Sequence, residues 1–220
     1  MNFEDKQFAV VGLGRFGLAV CQELVDSGAQ VLAVDVDEEL VKMAANIATQ
    51  AIVANCTHEE TVKELKLNEY DMVMVSIGEN VNASMLATLV IKDSGAKSVW
   101  VKANDKAHIR ILQKIGADHI IMPERDMGSR VARKMLDKRV LEFQELGSGL
   151  AMTEIVIGSR WMGSQIGQLP FSQDKEIMIL GFKRGAQITP TPASDIQLEI
   201  GDLLIVVGPQ KELTKRLKAL

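Results

Sequence analysis

From residue 8 to about residue 121, short apolar runs alternate with amphipathic stretches of helical length. The runs read FAVVG, VLAVD, QAIV, MVMVSI, SVWVKA and HIIM. Each is nearly continuous in apolar residues, the pattern of a strand buried on both faces, and helix-length segments between successive strands are what a parallel sheet needs for its crossovers. Six strands with five intervening helices predict an α/β domain, a Rossmann-like parallel sheet with covering helices. The helices carry their own punctuation. RFGLAVCQELVDSG sets Leu18, Cys21, Leu24 and Val25 on one stripe and stops at Gly28; NASMLATLVIKDSG stops at Gly95, and both are glycine stops. Helical spacing predicts that Met85, Leu86 and Leu89 face the sheet as core.

After MPERDMG the segment SRVARKMLDKRVLEF keeps a helical period through Val131, Met135 and Leu136 and carries the chain out of the first domain. The break is expected between Asp137 and Glu142, giving domains 1–137 and 138–220. QELGSGLAMTEIVIG then alternates as strands do, with Gly147 and Gly149 marking a turn. EIMILGFKRGAQITPTP reads as two strands joined around KRG, and DLLIVVG as another. PQKELTKRLKAL places Leu213, Leu217 and Leu220 on one side of a short helix. The second domain is therefore a small α+β unit.

Composition changes this picture at a few points. With 220 residues, 47% of them hydrophobic, the chain can fill a standard α/β core and a smaller second one. Its formal charge of -4 comes from interspersed acids and bases, which excludes the basic footprint of a nucleic-acid binder. The two cysteines, Cys21 and Cys56, suit neither a disulfide scaffold nor a zinc knuckle, and a reducing, cytoplasmic location is expected. MNFEDKQ lacks the basic head and apolar body of a signal peptide. Apolar stretches break within about ten residues, short of the roughly 20 that span a bilayer.

Chemistry concentrates in GLGRFG, which fits G-x-G-x-x-G with Gly12, Gly14 and Gly17, follows an apolar strand and opens a helix. In that context the first glycine permits the tight turn, the second lets the backbone approach phosphate, and the third lets the helix pack on the sheet. Asp35 ends the second strand about 20 residues further on, where a carboxylate accepts from a ribose diol and repels a 2'-phosphate. NAD(H), ATP, ADP or AMP are therefore preferred over NADP. Arg15 lies on the first turn over the phosphates and could reach a terminal phosphate as a multi-donor fork. Asn55 and Thr57, after the third strand, can bond a base or cap a helix; Asn80 or Asn82 can start the helix after SIGE. Lys102 ends the fifth strand on the same rim. With Phe16, Val36, Asp37, Cys56, Ile77 and Gly78 these residues form the candidate nucleotide-binding set.

A dehydrogenase needs an acid, base or polar pair beside the nicotinamide. The only histidines are His58, His108 and His119, all in the first domain, where surface or capping roles are expected. No G-x-x-x-x-G-K-S/T loop, H-E-x-x-H pair or G-x-S-x-G elbow occurs. No catalytic residue is assigned, and a sensor is expected rather than an enzyme.

FAVVGLGRFG, VLAVDVDEE, ANCTHEE, SIGEN, VWVKA and LQKIGADHIIMPERDMG together resemble the cytosolic regulatory (RCK-type) subunits of bacterial Ktr/Trk potassium uptake systems, over essentially the whole chain. The resemblance implies a homodimer that assembles into an octameric ring beneath a separate membrane-embedded potassium channel, so that the protein sits peripherally at the inner face of the membrane. It implies that ATP favours the active and ADP the inactive state, with an NAD(H)-binding redox-sensing regulator as the alternative and an NAD-dependent oxidoreductase a distant third. It matches Gly12, Gly14, Arg15, Gly17 and Asp35 to the nucleotide-holding positions and Asn55, Cys56 and Thr57 to the adenine pocket. It matches Glu124 to a glutamate implicated in Mg2+ or Ca2+ binding between subunits; from the residues alone, Glu124 reads as a helix-start carboxylate. Some relatives bind cyclic di-AMP in the C-terminal domain. Ile166 and Pro192 fit those surroundings, while Ser172 stands where that pattern has an arginine.

Overall fold

The computed structural model describes residues 5–136 and 140–217. The chain divides into two compact units, 1–123 and 124–220.

The first unit alternates β1 (Gln7–Val11), α1 (Arg15–Asp26), β2 (Gln30–Asp35), α2 (Glu38–Ala44), β3 (Gln50–Val53), α3 (Glu59–Glu64), β4 (Met72–Val75), α4 (Val81–Asp93), β5 (Val99–Lys102), α5 (Lys106–Ile115) and β6 (His119–Ile121). The sheet order is β3-β2-β1-β4-β5-β6 with every pairing parallel, the doubly wound arrangement that the apolar runs predict. Successive strand residues point to opposite faces, and both faces are dry here. Ala9, Val11, Val34 and Val75 pack with Val62, Ala87, Ile91 and Leu112, while Val10, Val31, Ala33 and Met74 pack with Cys21, Val41 and Ala44. Burial on both sides is why these strands read as continuous rather than alternating.

The helix ends follow their signals. Asp37, Asn80 and Asp105 accept hydrogen bonds from the backbone N–H groups of Glu39, Ala83 and His108, capping α2, α4 and α5. Gly28 and Gly95 follow α1 and α4 at φ of 89° and 85°, a left-handed turn that favours glycine. One packing expectation fails. Met85 packs against the core, but Leu86 and Leu89 are 51% and 40% exposed, and α4 buries Ser84, Ala87, Thr88 and Ile91 instead. The small residues of α4 take the crowded face, and the larger leucines are left outside it.

In the second unit α6 (Pro123–Leu136) precedes β7 (Val140–Gly147), β8 (Leu150–Val156), β9 (Met178–Arg184), β10 (Gln187–Pro190), β11 (Leu203–Pro209) and α7 (Gln210–Leu217). The sheet is antiparallel in the order β10-β9-β11-β8-β7. β7 and β8 turn through Gly147, Ser148 and Gly149, and β9 and β10 form the hairpin expected around KRG. Ile155, Phe171, Leu198, Leu204 and Leu213 form its core. Residues 137–139 of the break expected between Asp137 and Glu142, and Leu220 of the expected C-terminal stripe, lie outside the described residues; residues 140–142 already belong to β7. Met127, Val131 and Met135, four residues apart on α6, are 54%, 47% and 77% exposed.

Candidate functional site

β1 runs directly into the glycine loop and α1, beside the carboxyl ends of β2 and β4. Gly12 has φ of 96°, and a Cβ on it would meet the Ile77 nitrogen at 2.8 Å; a Cβ on Gly17 would stand 2.0 Å from the Gly12 carbonyl oxygen and 2.7 Å from Ser76 Oγ. Both positions are therefore closed to side chains by the approach of β4 and α1. Gly14 differs: nothing lies within 4 Å of its would-be Cβ, so its backbone faces open space. It N-caps α1 without a side-chain bond, and no acid sits in the first turn. The positive end of a 12-residue helix and its unanswered N–H groups thus point at an anion site.

Asp35 Oδ2 accepts from the Leu13 N–H at 2.6 Å and Oδ1 from the Asp37 N–H at 3.0 Å. Each carboxylate oxygen retains a second lone pair for a hydroxyl donor. Val36 and Asp37 follow in exposed positions, and Asp37 is already used as the α2 cap at 2.8 Å. After β3, Asn55 Oδ1 accepts from the N–H and hydroxyl of Thr57 at 3.1 and 2.8 Å, a closed turn of two half-buried side chains. Cys56 between them is 3% exposed and belongs to the core cluster of Ala9, Val11 and Val34; burial, aided by the Asp35 charge, pushes its thiol up to about 12, so it is a neutral group there.

The opposite wall brings together Phe16, Ile77, Gly78 and Lys102. Lys102 Nζ lies 5.9 Å from the Phe16 ring centroid, within cation–π range, and a Cβ on Gly78 would be 3.3 Å from that Nζ. Two residues outside the sequence-derived set shape this wall. Ser76 Oγ donates to the Gly12 carbonyl, and Asn104 Nδ2 donates to the Gly78 carbonyl. Ser76 could have been suspected as the polar residue closing an apolar strand; Asn104 carries no local signal. Asn80 is the α4 cap, bonding the Ala83 N–H at 3.0 Å. Arg15 is exposed on the first turn of α1, with no hydrogen bond or ion pair among the described residues.

Other expected residues stand apart. Glu124 is exposed in the first turn of α6, at the start of the second unit. Among the described residues no group of three or more histidine, cysteine, aspartate or glutamate side chains could hold a metal. His58 is exposed ahead of α3, and His119 on β6 lies 4.2 Å, ring to ring, from Trp100. His108 is not the surface residue expected, being 1% exposed, but it does serve the start of α5, where its Nδ1 accepts from the Asn104 N–H. In the second unit Ile166 is core at 2% exposure, Pro192 is half-buried, and Ser172 donates to the Ile166 carbonyl. The second unit also has a cleft of about 720 Å³ lined by Arg125, Arg130, Phe143, Gln144 and Glu154 among others, which includes none of the nucleotide set. No described helix is long and apolar enough to cross a membrane.

Comparison with known proteins gives two family matches, the TrkA-N domain over residues 8–123 and the TrkA-C domain over 151–219. The chain is 67% identical, over 220 residues and 100% of both chains, to Ktr system potassium uptake protein A of Vibrio alginolyticus. Its fold is similar to that of the GsuK RCK domain (TM-score 0.53, 16% identity, 99% of this chain and 47% of that one). It is also similar to the GsuK channel bound to NAD (TM-score 0.51, 17% identity, 98% of this chain and 38% of that one), so the chain spans less than half of either structure.

Proposed function

Because the chain belongs to the RCK family of regulatory subunits of Ktr/Trk potassium uptake systems, we propose that its glycine loop reads the adenine-nucleotide state and passes it to a separate membrane potassium channel, ATP favouring the active and ADP the inactive state. The observation that carries this reading is the open α1 N-terminus at Gly14, flanked by an Arg15 with no partner among the described residues and by an Asp35 whose oxygens are only half used.

Asp35 accepts the two ribose hydroxyls while holding Leu13 in place. The first-turn N–H groups of α1 bind the phosphates along the helix axis. Arg15 extends over the terminal phosphate, where a guanidinium fork distinguishes three phosphates from two by charge and reach. Phe16, Val36, Ile77 and Cys56 shape the apolar surround, and Lys102 supplies a second cation on the Gly78 side. None of these groups is arranged as an acid–base pair, and the work done is differential binding: two ligands that favour different arrangements shift a population without being consumed.

The exposed Met127, Val131 and Met135 of α6 suit a second copy of the chain, in a homodimer that builds an octameric ring against the channel at the inner face of the membrane. One exposed carboxylate does not hold a divalent cation by itself. A Mg2+ or Ca2+ site at Glu124 thus needs the partner's copy or a nucleotide phosphate, and no step is assigned to it. Cyclic di-AMP on the C-terminal unit would have to bind without the arginine that Ser172 replaces.

Calorimetric titration with ATP, ADP and NADH, each with and without Mg2+, tests the reading, with cyclic di-AMP as a further arm. ATP and ADP binding tightly and NADH weakly is the expected result. NADH as the tightest ligand would make the protein a redox-sensing regulator, and absence of all binding would overturn the nucleotide reading.

A further inference from the structure

A short relay of hydrogen bonds links the interior of the first unit to the wall of the glycine loop. Asn104 Nδ2 donates to the Gly78 carbonyl, and the Asn104 N–H donates to Nδ1 of His108 at 3.3 Å. His108 is itself anchored, its backbone N–H donating to Asp105 Oδ1 at 2.8 Å. The ring is 1% exposed, and its buried Nε2 has no hydrogen-bond partner among the described residues. Since Nδ1 accepts a hydrogen bond, the neutral ring carries its proton on Nε2. Packing alone does not call for such a ring, because an apolar side chain would fill the space without leaving a buried donor unanswered.

We propose that His108 is a positioning residue for the nucleotide site: its Nδ1 fixes Asn104, whose amide holds the Gly78 carbonyl, so that losing this acceptor by substitution or by protonation slackens the β4–α4 loop and weakens adenine-nucleotide binding. This rests on the nucleotide reading above. A second proton on the ring would convert Nδ1 from acceptor to donor, facing the Asn104 N–H donor to donor.

The surroundings set the direction of the response. Burial holds the imidazole below its ordinary range, and Asp105 opposes this. The residues buried on α4, which packs against α5, are uncharged: Ser84, Ala87, Thr88 and Ile91. β6 contributes Ile120 to this side of the sheet, and Lys92 and Asp118 pair with each other at 2.9 Å at the opposite ends of these helices and strands. The relay therefore holds at neutral pH and opens on acidification, below the ordinary histidine range.

The test is ADP affinity at about pH 7.5 and, well below the ordinary histidine range, about pH 4.5 for the unaltered protein, His108→Asn, which offers an acceptor oxygen near Nδ1 but does not titrate, and Asn104→Ala, an exposed position whose loss spares the core. ADP's own titration is common to all three and cancels in the ratios. At the higher pH the unaltered protein and His108→Asn should bind within about twofold of each other; at the lower pH the unaltered protein should be weaker by roughly three- to tenfold, the size of one lost hydrogen bond. Asn104→Ala should be weaker by a similar factor at the higher pH with an unchanged melting temperature. A ratio of unaltered protein to His108→Asn that does not change with pH, or Asn104→Ala binding as the unaltered protein does, overturns the relay while leaving the nucleotide reading standing. No ADP binding by the unaltered protein at the higher pH overturns both. If His108→Asn fails to fold, the Asn104→Ala result decides.

Discussion

Asp35 in the first unit and Asp202 in the second are both aspartates at the end of a strand or turn, yet the chain treats them oppositely. Asp202 is 2% exposed and its oxygens accept from Arg184 Nε at 2.9 Å, Arg184 Nη2 at 2.7 Å and the Glu199 N–H at 2.7 Å. Burial pushes its carboxyl up, but the Arg184 hydrogen bonds, the Glu199 N–H and the guanidinium charge outweigh that and hold it below the usual carboxylate range. Among the described residues Asp35 has no cation as a hydrogen-bond partner and accepts only from two backbone N–H groups of neighbouring turns. A carboxylate answered on all sides by its own chain fastens a fold; one answered by half is an acceptor waiting for something else.

The contrast can be broken in descending steps. The largest effect is expected from Gly17→Ala: a methyl group 2.0 Å from the Gly12 carbonyl forces β1 and α1 apart, and nucleotide binding should fall by more than about a thousandfold in a titration, an overlap that backbone, unlike a flexible side chain, does not relieve cheaply. Asp35→Ala should lose about a hundredfold for ATP, ADP and NADH alike, the worth of two charge-assisted hydrogen bonds. If that variant instead melts as early as an Asp202 variant while binding normally, the two aspartates are alike and the distinction fails. Asp202→Ala should leave binding unchanged and cost about 2 kcal/mol of stability, discounted because the half-exposed Arg184 regains water. Since the folded carboxyl of Asp202 is depressed, its contribution is present above the ordinary carboxylate range and lost as pH falls through the folded value; acid melting curves of the unaltered protein should show this loss and those of Asp202→Ala should not. Smallest is Arg15→Ala, with about tenfold weaker ATP binding and a lesser change for ADP; equal losses would remove Arg15 as the discriminator.

What was legible in the sequence was what is local. The glycine spacing, the acid ending β2, the alternating strands of the second sheet and the cap at Asn80 each depend on a few neighbouring residues. Ser76 and Asn104 escaped because their partners lie 64 and 26 residues away in sequence, and nothing in an isolated strand end announces such a bond. Leu86 and Leu89 were misplaced for a different reason. Periodicity shows that a helix has an apolar stripe, but α4 is apolar on more than one side, and only packing chooses the small-residue face. His108 follows Asp105 by three residues, a spacing that suggests a helix start and hides that the ring itself turns inward.

The two cysteines have a consequence for what the protein can perceive. Both are buried, and burial raises Cys21 to about 11 and Cys56 to about 12. Hardly any thiolate exists at neutral pH, and thiolate is the form that peroxide, nitrosating agents and alkylating labels attack. The two thiols are thus poor targets for oxidants. The same silence is useful at the bench: a single cysteine introduced on the surface can carry a fluorophore or spin probe against a quiet background.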